Sequence, residues 1–173
     1  KGKYHLGYIY QRRAASRTSM SDWSPEGHVW GHAVGTDLLH WTQYPDMLEV
    51  QEGDGVTAIY SGGAFVSREG VPHLIYHGYG PNANHLAHAA DDDLKVWKKI
   101  PQPVLMPLDP KDPSKAVAGK YSTFDPHAWY DSDADCHYQI SGGMKPALFK
   151  SKNLQEWQYL GDLIDRSNTL RHP

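Results

Sequence analysis

Cysteine is nearly absent: Cys136 is the one thiol in 173 residues, which excludes an internal disulfide framework and leaves the redox compartment undetermined. No run approaches the roughly 20 apolar residues that a bilayer helix requires. The opening Lys1-Gly2-Lys3-Tyr4-His5 carries no apolar stretch of a secretion signal, so a soluble chain with no membrane partner is expected. Charge of one sign is missing as well. Seventeen Lys and Arg against twenty Asp and Glu give a formal net charge of -3, and the basic residues are scattered, so nucleic acid is not an expected partner. Phenylalanine is scarce, at three residues against eleven Tyr and six Trp. Such amphipathic rings suit carbohydrate stacking, and they suit ordinary β-sheets equally well.

What is present is a repeat. Asp37-Leu38-Leu39-His40-Trp41, Asp93-Leu94-Lys95-Val96-Trp97 and Asn153-Leu154-Gln155-Glu156-Trp157 share an acid or amide, Leu, two variable residues and Trp, returning about every 60 residues. A short apolar strand precedes each copy: Gly31 to Gly35, His85 to Ala89 and Pro146 to Ser151. A second strand lies further upstream in each unit: Tyr4 to Tyr10, Pro72 to His77 and Cys136 to Ser141. These segments are rich in Tyr, Ile, Val and Leu and are bounded by turn signals, so the chain reads as all-β. A period near 60 residues holding three or four strands fits a β-propeller blade better than a sandwich, whose strands show no long-range self-similarity. About three blades are expected, at roughly 1–59, 60–119 and 120–173, and three blades alone would leave open edges. The proline-rich stretch from Pro101 to Lys120 cannot pair regularly and reads as a surface connection between blades. Trp41, Trp97 and Trp157 read as blade-packing residues.

Trp30-Gly31-His32-Ala33-Val34-Gly35-Thr36-Asp37-Leu38-Leu39-His40-Trp41 closely resembles the WGHA-x-S-x-DL-x-HW block of glycoside hydrolase family 32, the invertase, levanase and inulinase group. The order of other segments agrees. Tyr4-His5-Leu6 through Gln11 resembles the family's YH-x-FYQ strand, Tyr60-Ser61-Gly62-Gly63-Ala64 its FSGSA, and Phe124-Asp125-Pro126 its RDP. The resemblance implies a five-bladed propeller with a central funnel and a glycosidase cleaving fructosyl bonds of sucrose or fructans. It implies a retaining mechanism, for which an aspartate nucleophile and a glutamate acid/base about 5 Å apart are suited. By the same resemblance the nucleophile belongs to an NDPNG motif upstream of Tyr4 and the acid/base to an EC motif downstream, so both are expected outside this stretch.

Within the stretch, the resemblance assigns Asp125 to hold two fructosyl hydroxyls as the ring approaches oxocarbenium geometry, which stabilises the transition state. It points Gln11 toward the nucleophile and the fructosyl unit, walls the pocket with Trp23, and lines the rim with Tyr60 and Ser61. Phe124 stands where the family usually has Arg, and His127, one residue beyond Pro126, could supply the missing donor. Plainer readings compete: Asp125 as a turn aspartate before proline, and Ser61 to Gly63 as a strand edge or bulge. No cofactor motif appears. His85 and His88 lack a carboxylate or cysteine partner at ligand spacing, so no metal is expected, and the histidines read as surface or inter-strand residues. Cys136 reads as a packing residue. A carbohydrate is the expected partner, with nothing indicating an oligomeric state. Two alternatives stay open: a noncatalytic carbohydrate-binding propeller, and a related five-bladed glycosidase acting on arabinosyl sugars.

Overall fold

The computed structural model describes residues 2–12, 27–106 and 121–164. These residues form eleven strands and no helix. The strands are β1 (Tyr4–Gln11), β2 (His28–Gly35), β3 (Trp41–Leu48), β4 (Ala58–Val66), β5 (Pro72–Tyr79), β6 (Ala83–Ala89), β7 (Trp97–Lys99), β8 (Phe124–Asp131), β9 (Cys136–Gly142), β10 (Ala147–Ser151) and β11 (Gln158–Asp162). They pair antiparallel into three meanders, β1-β2-β3, β4-β5-β6-β7 and β8-β9-β10-β11.

The repeated motif has one geometry in all three sheets. It joins β2 to β3, β6 to β7 and β10 to β11. Its leucine takes a left-handed backbone each time, with φ of 62° at Leu38, 56° at Leu94 and 62° at Leu154. The tryptophan that follows donates its indole N–H to that leucine's carbonyl, at 3.1, 3.0 and 3.2 Å. In the outer copies the leading Asp37 or Asn153 side chain accepts two backbone N–H groups of the turn. The conformation costs about 1–2 kcal/mol at a residue with a Cβ, and these local bonds offset it.

Each sheet packs against the next, and the cores lie between sheets. Trp30, Met47 and Leu48 of the first meet Ile59, Leu74 and Tyr76 of the second. Phe65, Ile75 and Leu86 of the second meet Ala128 and Leu154 near the third. Trp97 and Trp157 pack against these clusters as expected, whereas Trp41 is 37% exposed and serves its turn instead. Close contacts explain two glycines of the block. Gly31 sits opposite Tyr8, whose ring covers the place a Cβ would take, and a Cβ on Gly35 would meet the His40 carbonyl at 2.5 Å.

One expectation needs correction. Val104 and Leu105, within the proline-rich stretch, are not surface chain: they hydrogen-bond to Asn84 of β6, and Leu105 is buried. Of the surface and inter-strand places expected for the histidines, His32, His77, His85 and His137 take buried ones within paired strands, all under 5% exposed. Cys136 is buried, its thiol directed at the Ser151 carbonyl.

Candidate functional site

Two of the expected site positions, Gln11 and Tyr60, fall close together at one end of the sheets. Gln11 closes β1 and pairs with His28, the first residue of β2. The His28 ring lies 5.0 Å from that of Tyr60, near the start of β4, and Tyr60 in turn meets Tyr79, the last residue of β5, edge-on at 5.9 Å. Burial, and then the neighbouring Tyr79, push the Tyr60 hydroxyl above its ordinary pKa. The Tyr60 carbonyl accepts the Trp30 indole N–H at 2.9 Å, which ties the first sheet to the second. Trp23 lies outside the described residues.

Ser61, Gly62 and Gly63 follow in β4, across an irregular register between Ile59 and Gly62. A Cβ on Gly62 would stand 1.9 Å from the Ile75 carbonyl, so backbone approaches backbone there. The three residues line a groove of about 630 Å³ between β4 and β1, shared with His5, Ile9 and Trp30. Among the described candidates only Ser61 lines that groove; Asp125 stands elsewhere, on a strand that packs against β4.

Asp125 and His127 occupy the start of β8, which packs along β4. Both side chains are exposed while Pro126 and Ala128 are buried, so the two polar groups share the accessible face. Between Phe124 and His127 the strand carries one residue more than its partner β9, and Asp125 takes φ 47° within this bulge. A bulge re-aims side chains locally, and Asp tolerates the left-handed region better than most residues. His127 rests on Gly63, where a Cβ would come within 2.7 Å of its Nδ1, and stacks with Trp129 at 6.3 Å. Gly63 is therefore the reason β8 can approach β4 at this point. Phe124, half-buried, turns its ring onto His77 at 4.9 Å. It contributes no polar group to the face that Asp125 occupies.

Sequence reasoning missed His28, Tyr79 and His77. His77 is 2% exposed, and burial lowers its pKa against the opposing influence of the Thr123 carbonyl and the Asp125 carboxylate. Its place in an alternating strand is the only sequence signal, and that signal does not distinguish it from a packing residue. Among the described residues no group of three or more His, Cys, Asp or Glu side chains is arranged to hold a metal ion, and no helix is long and apolar enough to cross a membrane.

The profile of the Glycosyl hydrolases family 32 N-terminal domain matches residues 1–171. The cell wall isozyme of beta-fructofuranosidase from Pisum sativum is 29% identical over 168 residues, covering 90% of this chain and 28% of that protein. Fructan 6-exohydrolase from Beta vulgaris is 29% identical over 179 residues, covering 94% and 27%. The chain therefore spans little more than a quarter of the length of these curated relatives. Among solved structures, fructan 1-exohydrolase IIa from Cichorium intybus superposes with a TM-score of 0.70 at 23% identity, over 92% of this chain and 29% of that one. A GH32 beta-fructofuranosidase of Bombyx mori gives 0.65 at 25% identity, over 95% and 33%. These neighbours are five-bladed propellers, and the all-β chain with its three sheets covers part of one.

Proposed function

Because the chain belongs to glycosyl hydrolase family 32, we propose that the protein containing it hydrolyses fructosyl linkages of the sucrose or fructan type by a retaining two-carboxylate mechanism. The nucleophile and the acid/base come from outside these residues. Roughly residues 1–59, 60–119 and 120–173 are three successive blades, with β4 belonging whole to the second, and the ends of their strands contribute one wall of the sugar pocket. Asp125 accepts hydrogen bonds from two fructosyl hydroxyls. Those bonds strengthen as positive charge develops on the ring, so the carboxylate acts on the transition state more than on bound substrate. Gln11 reaches the fructosyl unit from β1, Tyr60 and Ser61 form the rim, His127 donates to a hydroxyl in place of a charged residue at position 124, and Trp23 closes the wall.

The observation that carries this reading is Asp125 itself: an exposed carboxylate held in a left-handed bulge at the start of a strand that packs against β4. Asp125→Asn keeps the size and removes the charge. In the intact protein it should lower kcat for sucrose or a short fructan by roughly 100-fold or more, a typical loss for one transition-state contact, with the melting temperature nearly unchanged. Wild-type turnover by Asp125→Asn would refute the assignment.

Phe124 favours one second reading, a propeller that binds fructosyl sugars without cleaving them, since its ring packs inward and offers the ligand no charge. Saturable binding of a fructan by the intact protein with no release of fructose would select it.

A further inference from the structure

We infer that His77 is a positioning residue for Asp125, acting from the neighbouring sheet through the Thr123 carbonyl. The inference rests on the reading of Asp125 as the carboxylate that holds the sugar.

Asp125 pays for its placement twice, by a left-handed φ of 47° and by an extra residue in the strand. Such a conformation persists where the surroundings over-determine it. Here the three residues before Asp125 are gripped from both sides. On the side of the second sheet, His77 Nδ1 lies 2.8 Å from the Thr123 carbonyl oxygen, with both residues almost wholly buried. A carbonyl only accepts, so Nδ1 carries the proton and donates, which settles the tautomer. The Thr123 hydroxyl donates to the Asn82 carbonyl at 2.7 Å, and Asn82 belongs to the turn that follows β5. One residue is thus held by its carbonyl and by its side chain, both from the β5–β6 hairpin.

On the side of the third sheet, Ser141 donates its hydroxyl to the Ser122 carbonyl, and Ser122 donates its own N–H to Lys145. Gly142 allows the bulge to lie close: a Cβ there would meet the Phe124 carbonyl at 3.1 Å and Asp125 Cβ at 3.3 Å. Ser122 to Phe124 is therefore held from both neighbouring sheets. Within this clamp His77 makes two contacts, a donor to the Thr123 carbonyl and a ring surface for Phe124, that no other side chain among the described residues duplicates. The first fixes the peptide two residues before the carboxylate. The second orients the aromatic residue that stands next to it. Misplacing a substrate-holding group by about 1 Å costs up to roughly 100-fold in rate, so a buried hydrogen bond distant from the sugar can govern turnover.

The test uses three variants of the intact protein with sucrose or a short fructan. His77→Phe keeps a ring against Phe124 but cannot donate. His77→Asn can donate but gives up the ring. Asp125→Asn reports on the carboxylate itself. The expected result is a loss of kcat of roughly 10-fold to 100-fold in His77→Phe with KM changed less than about threefold, partial recovery in His77→Asn, and a crystal structure of His77→Phe in which Asp125 has left φ near 47°. Wild-type kcat in His77→Phe, or an unmoved Asp125 backbone in its crystal structure, overturns the inference. So does a fall in kcat that tracks the melting temperature equally through both His77 variants. If Asp125→Asn turns over like wild type, the reading of Asp125 fails, while the crystal structure still decides whether His77 holds that segment.

Discussion

Acid should weaken this fold in a range where carboxylates are still ionised, and two histidines set the size of the effect. His32 is 0% and His85 4% exposed, and burial, the largest cause for each, pushes both imidazoles from 6.5 to about 4. His32 feels His5 in addition, its Nε2 lying 3.0 Å from His5 Nδ1, and His85 feels His77 and Lys99 against the opposing Asp54. A group whose folded pKa lies below its unfolded value binds fewer protons when folded. Its contribution is intact above about pH 6.5 and is lost progressively as the pH falls toward 4. Integrating that difference from about pH 7.5 to about pH 5 gives roughly 2 kcal/mol for each residue, or roughly 4 kcal/mol for the two. His73, His77 and His137 are shifted in the same direction and add to the loss. Denaturant unfolding of the intact protein at the two pH values measures it directly. His85→Gln removes one titration, so the gap between the two unfolding free energies should shrink by about 2 kcal/mol. An unfolding free energy that is the same at both pH values, or a gap unaltered by His85→Gln, would refute the reasoning.

Other outcomes follow from the turns and the close approaches. Leu38 is 58% exposed with φ 62°, so Leu38→Gly should raise stability by about 1 kcal/mol by removing left-handed strain; thermal melting checks it. Gly62→Ala should cost about 3 kcal/mol or more, because its Cβ meets the Ile75 backbone and overpacking against backbone has no cheap relief. Gly31→Ala should cost far less, since the Tyr8 ring it meets is partly exposed and free to swing aside. Paired chemical denaturation of the two variants separates them. Trp30→Phe deletes the donor to the Tyr60 carbonyl and should cost about 1–2 kcal/mol, read as a lower denaturant midpoint.

The strand-turn-tryptophan unit is legible in the sequence because every part of it is local. The acid or amide, the left-handed leucine and the indole donor all lie within five residues, so they recur as a string. The two strands preceding the turn are legible for the same reason, by composition and period. The order of motifs singles out Asp125 for the role proposed above, and on β8 it is exposed beside the buried Pro126. His77 is not legible, because its partner Thr123 is 46 residues away and no local pattern links them. The exposure of Trp41 is hidden as well: the same string packs inward in the other two units, and only the arrangement of whole sheets sets it apart.

Among the described residues the first sheet has three strands where its neighbours have four, and β1 pairs there only with β2. Leu6, Tyr8 and Ile9 stand 37–45% exposed along it. An edge strand carrying such side chains is a template for another extended segment. Prepared by itself, this stretch of polypeptide should recruit copies of itself edge to edge. A charged substitution such as Ile9→Lys should make that self-pairing unfavourable.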